Sequence, residues 1–273
     1  MNEQPIPWDQ LYKNLFERRD SNQTFSLLSE GITAFLRKAE DLITDAMILK
    51  DAERYEIASF LGYTASEEMA KIHIFIDACR VDLPRHNNVL KKLCKSFYSH
   101  IAKYAYKEVL SFPALYDMEQ VKEAWDYQMI RWWPSNDIES GEPDMPHTTY
   151  FRRELPLYVD YIEYDQQWYN PRIENRPLII STLVLEISNA KEKLELLRNT
   201  YDIGLYKLES LSIINDVYKR HYINERTPTG EVDRIYMKAA QQIENELGIP
   251  QEKFTQSTIS KWPLYHFVTV SRF

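Results

Sequence analysis

The chain has 273 residues and a formal net charge of −8, an acidity that argues against non-specific coating of nucleic acid while leaving room for one small basic site. Its two cysteines, in no CxxC arrangement, are too few for a zinc site or a disulfide framework and point to a reducing cytoplasm. Nineteen Tyr, eleven Phe and six Trp against only six Gly favour packed helices over a Gly-turned β sandwich.

Residues 1–28 read as a polar leader without a secretory h-region, and no apolar run approaches the roughly 18 residues of a membrane span. From Ser29, read as an N-cap, apolar residues recur at helical spacing through Ile32, Phe35, Leu36, Ala39, Leu42, Ile43, Ala46 and Leu49. A break near Lys50–Asp51 precedes a second helix with a stripe at Ala58, Leu61, Ala65, Met69, Ile72, Ile76 and Cys79. Such alternating spacing is that of packed antiparallel helices. The segment around Pro84 ends this helix, and Asn87 or Asn88 caps a third through Leu90, Leu93, Phe97, Ile101 and Tyr104.

A fourth helix is expected over about 114–133, followed by an exposed loop, WWPSNDIESGEPDMPH. The next stretch, YFRRELPLYVDYIEYDQQWYNP, alternates aromatics with charges, and a strand pair and an irregular arm both fit it. A strong helix over about 175–199 and two more around 206–221 and 230–247 complete the pattern. The last two are read as covering the hairpin and extending its core. The expected fold is therefore mostly all-α: an antiparallel helical hairpin or bundle with an irregular aromatic arm and additional C-terminal helices. In domain terms, 1–28 is a leader, 29–200 a helical domain containing the arm at 134–174, and 201–273 a helical extension.

Charge is unevenly spread. Between Arg80 and Lys107 stand seven Lys/Arg (Arg80, Arg85, Lys91, Lys92, Lys95, Lys103 and Lys107) against one acid, Asp82. His100 falls between Phe97 and Tyr104 in helical phase, at the edge of the core. It reads either as a histidine hydrogen-bonded within a helical hairpin or as a general acid or base, imidazole being the side chain best able to exchange a proton near neutral pH. Lys95 and Lys103 flank it, and cations there would bind a phosphate and favour neutral imidazole. On the second helix, Glu67–Lys71 and Glu68–Lys71 are i,i+4 and i,i+3 pairs, worth about 0.2–0.5 kcal/mol at a surface. Glu68 lies close to the apolar stripe, where a carboxylate needs a partner, so it either ties helices together or stands beside a site. Arg80 and His86 form a second basic–His pair, read as solvent-facing at a helix end, where the dipole favours cations.

Other chemistry is subtracted. GxxxxGK[ST], GxGxxG, HExxH and GxSxG are all absent, and no His/Asp/Glu cluster has metal-ligand spacing. Neither a metal nor a cofactor is expected.

The run AEDLITDAMILKDAERYEIASFLGYTASEEMAKIHIF resembles the AbiV family of abortive-infection proteins, in which an Ala-rich hairpin carries A-x-E-E-x-x-K. SFYSHIAK resembles the H-x-x-K that follows there, and RRELPLYVDYIEYDQQWYNP is similar to a Tyr-Val-Asp…Trp-x-x-Pro segment of the longer members. The likeness covers about residues 30–180, and Glu67, Glu68, Lys71, His100 and Lys103 are the positions that match the pattern.

AbiV proteins are grouped with the HEPN superfamily of α-helical hairpin domains, many of them metal-independent ribonucleases that work as homodimers. Their usual signature is Arg, four to six residues, then His. Here Arg80–His86 gives the Arg form, interrupted by Pro84, and Lys95–His100 a Lys version with four residues between.

The resemblance implies a cytoplasmic antiviral effector, a homodimer, that cleaves or blocks RNA. His100 or His86 would take a ribose 2′-hydroxyl proton, while Lys95, Lys103 or Arg80 meets the phosphate and Glu67 and Glu68 hold Lys71 or the histidine in place. The alternative is a non-catalytic helical module that inhibits, or is inhibited by, a phage or antitoxin protein, with Tyr158 and Trp168 as interface anchors.

Overall fold

The computed structural model describes residues 7–83, 85–110, 157, 160–162, 167–169, 176–221, 223 and 227–259. The expected helix over 114–133, the loop that follows it and most of the aromatic arm lie outside these residues.

Helix α1 (Pro7–Tyr12) runs into a π-helical turn, Lys13–Glu17, and buries Tyr12 and Leu15. Helix α2 (Ser21–Asp51) then starts on a capping box. The Asp20 carboxylate accepts from the Gln23 N–H at 2.8 Å, and the Gln23 side chain accepts from the Asp20 N–H at 3.4 Å. The polar-leader expectation and the Ser29 cap are therefore corrected. Phe25 and Leu28 are core residues, and the N-cap lies nine residues earlier, at Asp20, because an Asp-x-x-Gln box outcompetes a lone serine.

The end of α2 is also specific. Glu53 adopts φ 57°, its N–H bonds the Lys50 carbonyl, and the Arg54 N–H bonds the Leu49 carbonyl at 2.8 Å. This is the reversal that glycine commonly makes. It turns the chain straight into α3 (Tyr55–Cys79), which packs along α2 as an antiparallel hairpin. Gly31 of α2 lets the helices close up: a Cβ there would stand 2.6 Å from the Phe75 ring.

Helix α4 (Asn87–Tyr98) and helix α5 (His100–Leu110) replace the single third helix expected from the apolar spacing. Ser99 is extended (φ −86°, ψ 119°), and its hydroxyl accepts from the Ala102 N–H at 3.2 Å, so it caps α5. Strands β1 (Asp160–Ile162) and β2 (Gln167–Tyr169) pair antiparallel, with Tyr161 opposite Trp168. The arm thus contains a short strand pair.

Helices α6 (Arg176–Asp202), α7 (Leu208–Tyr218), α8 (Thr229–Leu247) and α9 (Gln251–Thr255) complete the described chain. They share one hydrophobic core with the hairpin: Leu28, Ile32, Met69 and Ile72 belong to the same cluster as Leu197, Ile214, Ile243 and Phe254. The Asn215 amide of α7 also donates to the carbonyls of Cys79 and Val81, at 2.9 and 2.8 Å, closing the end of α3. The described residues after 201 thus extend the core of the hairpin. The fold is all-α, with one three-residue strand pair among the described residues. No helix in them is long and apolar enough to cross a membrane.

Candidate functional site

The break at Ser99 decides which way α5 faces. His100, Lys103, Tyr104 and Lys107 are spaced i, i+3, i+4, i+7, one stripe of the helix, and this stripe lies against α3. Glu67 meets it from α3. His100 Nδ1 lies 2.8 and 2.9 Å from the two Glu67 carboxylate oxygens, and Lys103 Nζ donates to Oε2 at 2.8 Å. One turn along, the Tyr63 and Tyr104 rings stack with centroids 6.0 Å apart, and Lys107 Nζ stands 4.8 Å from the Tyr63 ring centre.

Burial divides the roles. The side chains of Glu67 and Lys103 are 5% and 6% exposed, whereas that of His100 is 29% exposed. Burial raises the Glu67 carboxyl pKa, but the His100 bond and the Lys103 ammonium outweigh it and hold the group below the usual carboxylate value. An ionised carboxylate only accepts, so His100 Nδ1 carries the hydrogen. In the neutral ring, Nε2 then holds the lone pair, which is the tautomer a general base needs. A solvent-touching imidazole is thus oriented from inside by a buried ion pair.

The other expected site residues fall elsewhere. Glu68 and Lys71 pair at 2.6 Å, and Lys71 Nζ lies 5.3 and 5.0 Å from the ring centres of Phe35 and Phe97. This group ties α2, α3 and α4 together. Lys95 is exposed on α4, with Nζ 4.7 Å from the Trp8 ring centre. Lys103, expected to meet phosphate, turns inward to Glu67 because the buried carboxylate needs its charge.

Arg80 does not face solvent. It is 3% exposed, donates to Asp77 at 2.9 Å and lies over the Tyr218 ring, so burial with a counter-charge overrides its position at a helix end. His86 is half-buried in the turn before α4. Tyr158 lies outside the described residues, and Trp168 sits in β2.

Three polar groups were not singled out from the sequence. Asp77 accepts from the Tyr106 hydroxyl at 2.8 Å as well as from Arg80, forming a second charged knot between α3 and α5. His73 is 5% exposed, with a buried Nε2 that no described side chain or backbone group reaches. Burial, with Lys193 and Arg80 nearby, holds its pKa well below the ordinary histidine value. The signal lay in the run IHIFIDAC, where His73 and Asp77 stand four apart in an otherwise apolar stretch. Among the described residues there is no group of three or more His, Cys, Asp or Glu placed to hold a metal ion.

A family model for AbiV, of the HEPN group, matches residues 27–174, more than half of the chain. No curated protein and no solved structure matches it. The matched span contains most of α2, all of α3 with the Glu67 carboxylate, and the helix that carries His100 and Lys103. Helical class, hairpin and family model agree: the chain belongs to the AbiV family of abortive-infection HEPN proteins.

Proposed function

We propose that this AbiV protein acts on RNA as a metal-independent endoribonuclease, with His100 as general base. The observation that carries the reading is the carboxylate-held imidazole, solvent-touching and fixed at Nδ1 by a buried Glu67. Nε2 takes the proton of a ribose 2′-hydroxyl, and the 2′-oxygen attacks the adjacent phosphorus. The bond to the 5′-oxygen of the next nucleotide breaks, and that oxygen takes up a proton from solvent, into which the protonated His100 releases its own. The products are a cyclic 2′,3′-phosphate and a 5′-hydroxyl. A positioned base contributes about 10²–10⁴-fold to such a step. Lys103 supports the base through Glu67 rather than meeting the phosphate, so the anionic charge falls to cations that reach solvent, such as Lys95.

A second reading is favoured by the inward placement of Lys103 and Arg80. On that reading the protein is a non-catalytic module that binds a phage or antitoxin protein, and the polar seam between α3 and α5 is structural.

The test compares wild type with His100→Ala on total cellular RNA in EDTA, with circular dichroism confirming the fold. Cleavage ending in cyclic phosphate, lost in the folded variant, is the expected outcome. Equal cleavage by both removes His100 from the reaction. No cleavage by either would favour the second reading, and capture of a partner through the arm at Trp168 would then decide it.

A further inference from the structure

Helix α4 carries Lys91, Lys92 and Lys95 and no acidic residue, in a chain whose net charge is −8. Lys91, Lys95 and Tyr98 are spaced i, i+4, i+7 and so form one stripe, and all three are exposed, Tyr98 at 47%. Helix α1 lies alongside and sets the lysines. Lys91 Nζ stands 5.1 Å from the Tyr12 ring centre and Lys95 Nζ 4.7 Å from that of Trp8. Trp8 and Tyr12 are themselves four apart, so two aromatics of one helix hold two ammonium groups of the other in register. The acid of α1, Asp9, is already paired with Lys13 at 2.7 Å. Beyond Tyr98 the chain reaches His100 after one extended residue, Ser99.

We infer that this outer face of α4, steadied by α1, is a track for single-stranded RNA that delivers the strand to His100. Lys91 and Lys95 contact successive phosphates, and Tyr98 stacks on an unpaired base. Non-specific single-strand binding needs just this combination: ordered cations along the backbone and an exposed ring as a stacking platform. The lysines are about 6 Å apart along the helix axis. The track rests on the RNA reading proposed above, but it concerns binding and not cleavage, and the two separate experimentally.

The experiment measures fluorescence anisotropy of a labelled oligouridylate with wild type, K91Q/K95Q, Tyr98→Ala and a control pair, K238Q/K253Q, on α8 and α9. Each lysine pair removes the same charge. K91Q/K95Q is expected to weaken binding at least tenfold and to lower the salt slope by about 1.4, the value for two phosphate contacts on a single strand. Tyr98→Ala should weaken it about 5- to 150-fold, the loss of one stacked base. The control pair should stay within about twofold of wild type.

Equal losses for the two lysine pairs would overturn the track, as would no binding of oligouridylate by wild type. Equal affinity for a blunt RNA duplex would also overturn it, because a stacked duplex offers Tyr98 no base. Cleavage by wild type that K91Q/K95Q leaves unchanged would keep the proposed function and discard the track. Binding that follows the expected pattern without cleavage would do the reverse.

Discussion

Glu67 sits where one carboxylate answers two demands. It neutralises the Lys103 ammonium in the interior, and it fixes the ring nitrogen of a histidine that reaches solvent. A buried ion pair is costly to break from one side, about 3–5 kcal/mol, but often cheap to replace whole by apolar groups. Glu67→Leu should therefore lower the unfolding free energy by about 3–5 kcal/mol in urea. Adding Lys103→Met should recover at least half of that loss, and a double variant no better than the single would show that the pair is not what the carboxylate holds. The residues of this site were readable from sequence only as types in a pattern. Glu67, Glu68, Lys71, His100 and Lys103 were all singled out, yet nothing in their spacing told that Glu67 would take His100 and Lys103 while Glu68 took Lys71. That choice depends on how α5 crosses α3. Arg80 was misplaced for the same reason: its partners Asp77 and Tyr218 lie three residues away and on α7.

At the scale of elements, the hairpin and the long helices were legible because each buries a sustained stripe. The apolar stripe expected on α3 reaches Cys79, where the helix ends, a few residues before the Pro84 segment expected to stop it, and α6, expected over 175–199, spans Arg176–Asp202. The start of α2 is not legible from apolar spacing, because its first core residues, Phe25 and Leu28, sit in a polar run and the Asp20–Gln23 box alone marks it. The break between α4 and α5 was missed because neither Gly nor Pro marks it. A serine in mid-pattern looks helical until its hydroxyl is seen to bond the Ala102 N–H. Yet this cap aims the His100–Lys107 stripe. Ser99→Ala should cost about 1 kcal/mol, the usual value of a lost N-cap, with Ser99→Asp near wild type. Urea unfolding of the two variants checks this, and equal stability for both would mean that packing alone sets the break.

For the molecule as a whole, the matched span of residues 27–174 is not where the core ends. Leu197, Ile214, Ile243 and Phe254 close it, and Asn215 binds the carbonyls that finish α3. His73 lies inside this shared core on α3, facing Lys193 of α6 and Arg80 at the end of α3. Two cations and burial keep it neutral, which ties overall stability to pH. Its folded pKa is below the unfolded value of about 6.5. Below that pH the unfolded chain binds a proton that the folded chain refuses, so stability is present above about pH 6.5 and falls as pH drops. Linkage limits the slope to about 1.4 kcal/mol per pH unit for one proton. Glu67 adds its own loss at lower pH, where its depressed carboxyl takes up a proton and releases Lys103. Urea midpoints from pH 7 to pH 5 should therefore decline more steeply in wild type than in His73→Gln, which cannot titrate, and the two curves should keep diverging until pH falls through the folded-state pKa of His73. Parallel curves from pH 7 downward would mean that His73 takes up its proton inside the fold. The polar seam between α3, α5 and α6 would then have room for a third cation, and the neutral interior argued here would be wrong.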